Sequence, residues 1–202
     1  MSTTCFLNRE GIPPTTSGNG GPLTPTIFLD LDDVLALNQR FGGREVQRAM
    51  AHPGSAPSDL YSTVFSPVAV DALNDLLREF NPSVVLTTSW LALLQREHFL
   101  DLFMKTGVLI SETSLHRHWD AQQDRGTSRL DAIEHWLNKH HGGEPILVLD
   151  DYASGESLVD GLWHEAGHVV ICDVNVGFNA GLLDAARTAL RKPFNPRKPW
   201  SL

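Results

Sequence analysis

In the segment from Thr26 to Leu35 an apolar run, Ile27-Phe28-Leu29, opens directly onto Asp30, Asp32 and Asp33. A buried strand of a parallel sheet delivers such residues to its carboxyl edge, where open α/β folds build their sites. Carboxylates this close repel one another and call for a shared proton or a cation, and oxygen-only ligands suit a hard ion such as Mg²⁺. The pattern returns in Pro145-Ile146-Leu147-Val148-Leu149, which ends in Asp150-Asp151. Between them Ser83-Val84-Val85-Leu86 ends in the hydroxyls of Thr87, Thr88 and Ser89, followed by Trp90. Hydroxyl and backbone N–H donors at a strand end suit phosphoryl oxygens. A cation completes the set: Ser128 reads as a helix N-cap with Asp131 as its capping-box acid, which puts Arg129 in the first helical turn. There its guanidinium can reach an anion and offset the repulsion among the acids.

Singly, each feature has an ordinary explanation. An Asp-x-Asp after a strand is a turn or a cap, a Thr in a strand is β-filler, and an Arg on a helix is a surface residue. Taken in order, each at the end or start of a plausible element, they describe one acidic, phosphate-binding site.

The order acid-x-acid, hydroxyl, base, acid pair resembles the haloacid dehalogenase (HAD) superfamily of phosphohydrolases over roughly residues 26–190. The closer resemblance is to the HAD domain of Swiss Army Knife RNA repair proteins, in Phe28–Leu35, Val85–Trp90, Arg129–Trp136, Leu147–Asp151 and Asn175–Leu182. This resemblance implies a Rossmann-like three-layer α/β/α sandwich with a mostly parallel sheet and minimal or no cap. It implies Asp30 as nucleophile and Asp32 as general acid/base, with the Asp32 backbone carbonyl helping to hold Mg²⁺. Thr88 takes the place of the phosphate-binding hydroxyl, with Thr87 and Ser89 as register alternatives, and Arg129 that of the cation. Asp151 is expected on the metal, and Asp150 is expected to orient Arg129 or assist the metal. Two departures stand out: Asp33 replaces a common Gly, and Arg129 replaces the commoner Lys, for which Lys105 is a weaker candidate. The implied activity is Mg²⁺-dependent phosphate-ester hydrolysis through an aspartyl-phosphate, on a phosphorylated nucleotide or an RNA or DNA terminus.

The elements that must position these residues follow from periodicity. Leu73, Leu76, Leu77 and Phe80 mark a helix after Pro67; Leu93, Leu94, Leu100, Phe103 and Met104 mark one closed near Gly107; Leu130, Ile133, Trp136 and Leu137 mark a third. His168–Asp173 reads as a further strand and Leu182–Leu190 as a last helix, and such alternation implies right-handed crossovers of a parallel sheet. Residues 1–25 read as a flexible leader, 26–190 as the catalytic domain, and 191–202 as a basic, Pro-rich arm. Residues 36–67 leave room for a short helix around Arg44–Met50 and a flap, and a second cap position lies between Ser111 and Asp124.

With 202 residues and 42% apolar content the chain can bury one substantial core. There is no run of about 18 apolar residues to cross a bilayer, and Met1–Cys5 lacks the basic-then-apolar pattern of a secretory signal. Cys5 and Cys172 are too few for a disulfide framework and read as one tail thiol and one buried strand thiol, so the expected location is cytoplasmic. The net charge of −8 argues against general adhesion to nucleic acid.

Two segments point elsewhere. His164-Glu165-Ala166-Gly167-His168 matches the H-E-x-x-H zinc motif, but a zinc metalloprotease needs one helix through both His, and Gly167 followed by Val169-Val170-Ile171 opposes that. Arg187, Arg191, Lys192, Arg197 and Lys198, interleaved with Phe194 and Trp200, can bind phosphates and stack bases, so a nucleic-acid-binding module on an inactive HAD scaffold is the alternative function. The competing expectation for this arm is a tail with Phe194 and Trp200 docked on the domain. If the arm lies beside an open cleft, a nucleic-acid end becomes a plausible substrate.

Overall fold

The computed structural model describes residues 23–37 and 40–195. Its centre is a five-stranded sheet in the order β3-β2-β1-β4-β5, with β1 at Thr26–Leu29, β2 at Ser83–Leu86, β3 at Leu115–Asp120, β4 at Ile146–Asp151 and β5 at Val169–Cys172. Every pairing is parallel. β1 therefore lies between β2 and β4, which brings together the three strand ends that carry acids and hydroxyls.

Side-chain alternation along these strands makes two cores. Ile27, Leu29, Val84, Leu86, Leu147 and Leu149 point to one face and pack under α3 (Pro67–Phe80), α4 (Arg96–Thr106) and α7 (Leu183–Arg191). Phe28, Val85, Ile146 and Val148 point to the other and meet Ile133, Trp136 and Leu137 of α5 (Arg129–His140), with Phe28 and Trp136 edge to face at 5.1 Å. The result is the expected three-layer sandwich. α3 begins at Pro67, where a missing N–H does no harm, and ends at Asn81 in the left-handed region, which Asn tolerates. α4 closes on Gly107 as its sequence pattern predicts.

Residues 40–66 contain α1 (Gly43–Ala51) and the single-turn α2 (Leu60–Thr63), and Val46, Leu60, Val64 and Phe65 are buried in the larger core. The segment is thus built into the α4 side of the sandwich, where the Lys105 ammonium lies 4.7 Å from the Tyr61 ring.

Three expectations change. The segment from Ser111 to Asp124 is not a cap position: it holds the edge strand β3, whose Leu-His-Arg-His-Trp-Asp sequence shows little apolar character because only Leu115 is fully buried. Met104 is 73% exposed, so the α4 stripe runs through Phe99, Leu102 and Phe103 instead. The described part of the basic arm, residues 191–195, does not flank the acidic strand ends. Helices of this fold run back to the amino-terminal edge of the sheet, and α7 does so: Leu190, Arg191 and Pro193 share a groove with Pro25, Asn81 and Pro145, the residues that precede β1, β2 and β4. Arg187 and Arg191 pair with Glu79, and Lys192 donates to the Ala166 carbonyl. Arg197, Lys198 and Trp200 lie outside the described residues, as do residues 1–22 of the leader.

Phe194 is docked, with ring centroids 5.4 Å from His141, 5.4 Å from Trp163 and 5.0 Å from His168. Phe194→Ala is expected to lower unfolding free energy by about 3 kcal/mol, as for other buried aromatics, in urea denaturation. A loss under about 0.5 kcal/mol would show that this contact does not persist in solution.

Candidate active site

The site grows out of the strand register. The ladder runs one residue past the paired Leu29, Leu86 and Leu149, with Thr87 N donating to Leu29 O at 2.9 Å and Asp30 N to Leu149 O at 3.0 Å. Thr87, Asp30 and Asp150 thus stand side by side, and alternation gives them the parity of Val85, Phe28 and Val148, which face α5. α5 begins there with Arg129.

That start is well specified. The Ser128 hydroxyl accepts from Asp131 N at 3.1 Å, and the Asp131 carboxylate accepts from Ser128 N at 2.8 Å, the expected capping box. Arg129 follows, 4% exposed, with Nη2 donating to Asp30 Oδ1 at 3.1 Å and Nε 2.8 Å from Asp150 Oδ2 in an ion pair too bent to count as a hydrogen bond. Lys105, the weaker candidate, pairs with Asp101 on α4.

Asp30, Asp150 and Asp151 are each no more than 2% exposed, and one carboxylate oxygen from each lies within 4.8 Å of the others. One guanidinium cannot balance three buried acids. Burial, and then the Asp150 charge, push the Asp30 carboxyl well above the usual range against the pull of Arg129. Burial likewise pushes Asp150 up to about 7, with Arg129 opposing and Asp151 adding to the rise. Asp151 is anchored differently: its Oδ1 accepts from Ala153 N at 2.6 Å and Ser154 N at 3.1 Å. The loop then turns tightly enough that a Cβ on Gly155 would sit 2.7 Å from the Asp151 carbonyl, so a side chain there displaces the acid pair.

The residues fit a cation. Asp30 Oδ2 and Asp151 Oδ2 are buried without a hydrogen-bond partner, an arrangement that is costly unless something positive is placed between them. An all-oxygen donor set selects a hard divalent ion over zinc or copper. The Asp32 side chain stands apart from this group: its Oδ1 accepts from Trp90 Nε1 and its Oδ2 from Ser89 Oγ, both at 2.9 Å. The turn after β1 works without the common Gly because Asp33 itself takes φ +51° and its Oδ1 accepts from Asn175 N at 2.8 Å.

A model of the HAD domain in Swiss Army Knife RNA repair proteins matches residues 26–181. The chain belongs to this family. The matched span contains every strand of the sheet and every residue of the site just described. No curated protein and no solved structure matches the chain.

Within this HAD domain the three neighbouring hydroxyls have different surroundings. Thr88 caps the turn at Ser89–Ala92, accepting from Trp90 N at 3.3 Å, and Ser89 is engaged with Asp32. Thr87 Oγ1 is buried and has no partner. Thr87, Thr88, Ser89 and Arg129 line a cleft of about 280 Å³ together with Gln122, Gln123 and Ser154. The sequence pattern gives Trp90 no role of its own. Its signal is a general one, since a buried indole N–H must find an acceptor and the nearest acids in the pattern are Asp30 and Asp32.

The zinc motif does not survive folding. The helix through His164 and Glu165 ends at Glu165, Gly167 takes φ +74°, and His168 turns inward to place Nδ1 3.2 Å from the Ile146 carbonyl. Among the described residues the acidic trio is the metal-capable group of His, Cys, Asp and Glu side chains. Among them, too, no helix is long and apolar enough to cross a membrane.

Proposed function

We propose that this HAD domain is a Mg²⁺-dependent phosphohydrolase that works through an aspartyl-phosphate on Asp30, with a nucleotide or nucleic-acid end as substrate. The observation that carries the reading is the asymmetry of Asp30: Oδ1 is held by Arg129 while Oδ2 is buried and unpartnered, one strand away from the free Thr87 hydroxyl. Asp30, Asp151 and the Asp32 carbonyl would hold Mg²⁺, with Asp150 assisting, and the ion would neutralise charge on both carboxylate and phosphate. Arg129 supplies a fixed positive charge beside the nucleophile, so a phosphate dianion meets less repulsion on approach. Thr87, which has no other partner, and Thr88, which only accepts from Trp90 N, each keep a hydroxyl proton to donate to a phosphoryl oxygen, whereas Ser89 gives its own to Asp32. Attack by the Asp30 carboxylate forms the new O–P bond as the leaving oxygen departs and takes a proton from Asp32. Asp32 then removes a proton from the water that hydrolyses the acyl phosphate, returning Asp30 to a carboxylate.

The substrate class rests on the family, whose description is of RNA repair, and on the polar cleft beside Arg129. The described part of the basic arm lies at the opposite edge of the sheet and does not contribute. Phosphate release from nucleotides, phosphorylated RNA and DNA ends and sugar phosphates with Mg²⁺ is the direct test. Turnover of nucleotide or nucleic-acid ends is expected, preference for sugar phosphates would correct the substrate, and no release from any of them would remove the enzyme reading.

A pH signature follows from the crowded acids. A carboxyl whose folded pKa is raised keeps a proton that the unfolded chain has released, so stability is highest below the unfolded value and falls as pH rises through the folded one. For Asp150 that window runs from 3.8 to about 7, at about 1.4 kcal/mol per pH unit while one extra proton is retained. Thermal unfolding of EDTA-treated protein is expected to move to lower temperature between pH 5.5 and 7, and saturating Mg²⁺ to flatten that slope. A slope unaffected by Mg²⁺ would separate the acids from any metal.

A further inference from the structure

Asp32 is half-buried, and each of its carboxylate oxygens receives its own donor, Trp90 Nε1 on one and Ser89 Oγ on the other. Two donors on two oxygens fix both the position and the plane of a carboxylate, and lone pairs on each oxygen stay free. The indole is itself immobilised. Trp90 is 2% exposed and stacks on Phe65 at 6.0 Å with planes 26° apart. At the start of α1, a Cβ on Gly43 would come within 2.8 Å of the ring, so Gly is required there for close approach and not for its backbone angles. The segment before α3 therefore grips the ring from one side while Thr88 receives its backbone N–H from another.

We propose that Trp90, seconded by Ser89, is the positioning residue that aims the Asp32 carboxyl at the leaving-group oxygen, and that the 43–65 segment acts as its brace. The inference rests on the reading of Asp32 as general acid. In the first step the bond between an Asp30 carboxylate oxygen and phosphorus forms, the P–O bond to the leaving group breaks, and the Asp32 proton passes to the oxygen of the leaving group. An alkoxide needs this proton, whereas p-nitrophenolate leaves without it. A merely structural Trp90 would affect both substrates alike.

The experiment is kcat/KM across a series of leaving groups, from p-nitrophenyl phosphate through phenyl phosphate to an alkyl phosphate, in the parent protein, Trp90→Phe and Ser89→Ala. Trp90→Phe keeps an aromatic ring and removes the N–H; Ser89→Ala removes the other donor from a position that tolerates a smaller side chain. The alkyl ester is expected to lose about tenfold more than p-nitrophenyl phosphate in each variant, a fraction of the full general-acid contribution. Gly43→Ala, which pushes on the ring without touching Asp32, should reproduce the trend. If Trp90→Phe does not fold, Ser89→Ala and Gly43→Ala carry the same comparison. Equal losses for every leaving group, or none, overturn the positioning role while leaving the phosphohydrolase intact. A parent protein inactive on the whole series overturns the reading of Asp32 itself.

Discussion

Asp30→Asn is expected to abolish phosphate release and, in the absence of metal, to raise the unfolding temperature. The activity loss is expected to be on the order of 10³-fold or more, because the nucleophile is lost while the supporting groups remain. The gain in stability has a separate cause. A charge on Asp30 is unfavourable, because the carboxyl is buried beside Asp150 and is pushed well above its ordinary range. The amide has nearly the same shape, places its oxygen where Arg129 Nη2 now donates, and removes one negative charge. Stabilisation at neutral pH is expected to be about 1–3 kcal/mol, the usual size for relieving an uncompensated buried group. The response to Mg²⁺ should shrink at the same time, because one of three carboxylates has lost its charge. Phosphate-release assays and thermal unfolding with and without Mg²⁺ check these outcomes. Retained activity would exclude the aspartyl-phosphate. A destabilised Asn variant would show that Arg129 more than compensates the acid cluster.

The contrast between what local pattern reveals and what it hides is visible in single residues. β1, β2 and β4 are buried on both faces and read as unbroken apolar runs, so their ends could be located and the acids placed at one edge. The start of α5 was legible for another reason: its cap is local chemistry between Ser128 and Asp131, and Arg129 is defined by it. β3 was hidden because an edge strand with one face exposed has no need of apolar residues, and His116, Arg117 and His118 gave no period to follow. Thr87 and Thr88 could not be separated by composition. Choosing between them requires the register that pairs Leu86 with Leu29, because one residue of slip exchanges the two faces of the sheet. The remoteness of the arm's first residues, 191–195, was available from topology, since a chain leaving the last helix of such a fold emerges at the edge away from the site. Charge composition alone concealed that, and it also concealed that Arg187 and Arg191 share one acid, Glu79. The Trp90–Asp32 bond joins residues 58 positions apart, and short-range pattern has no access to it.

Arg129→Ala should have the larger effect on folding. With the guanidinium gone, Asp30 and Asp150 lose the cation that now lies 3.1 Å from one and 2.8 Å from the other, and the side chain leaves a cavity at the foot of α5. Removing one partner of a buried ion pair costs about 3–5 kcal/mol, whereas replacing the whole set by neutral groups can be nearly neutral. The penalty should therefore depend on pH. At pH 5.5 the carboxyls can take up protons and the loss is smaller; at pH 8 they are forced to ionise and the loss is greatest. Arg129→Lys should recover only part of it, because one ammonium cannot present the two-sided contact that Nε and Nη2 make. Adding Asp150→Asn to Arg129→Ala removes one of the stranded charges and should restore roughly 1–2 kcal/mol, a coupling that a double-mutant cycle measures directly. Urea denaturation of the parent, both single variants and the double variant at these two pH values supplies the cycle. Strictly additive losses with no pH dependence would mean that Arg129 stabilises the fold by packing alone, and that its charge has no part in holding the acids together.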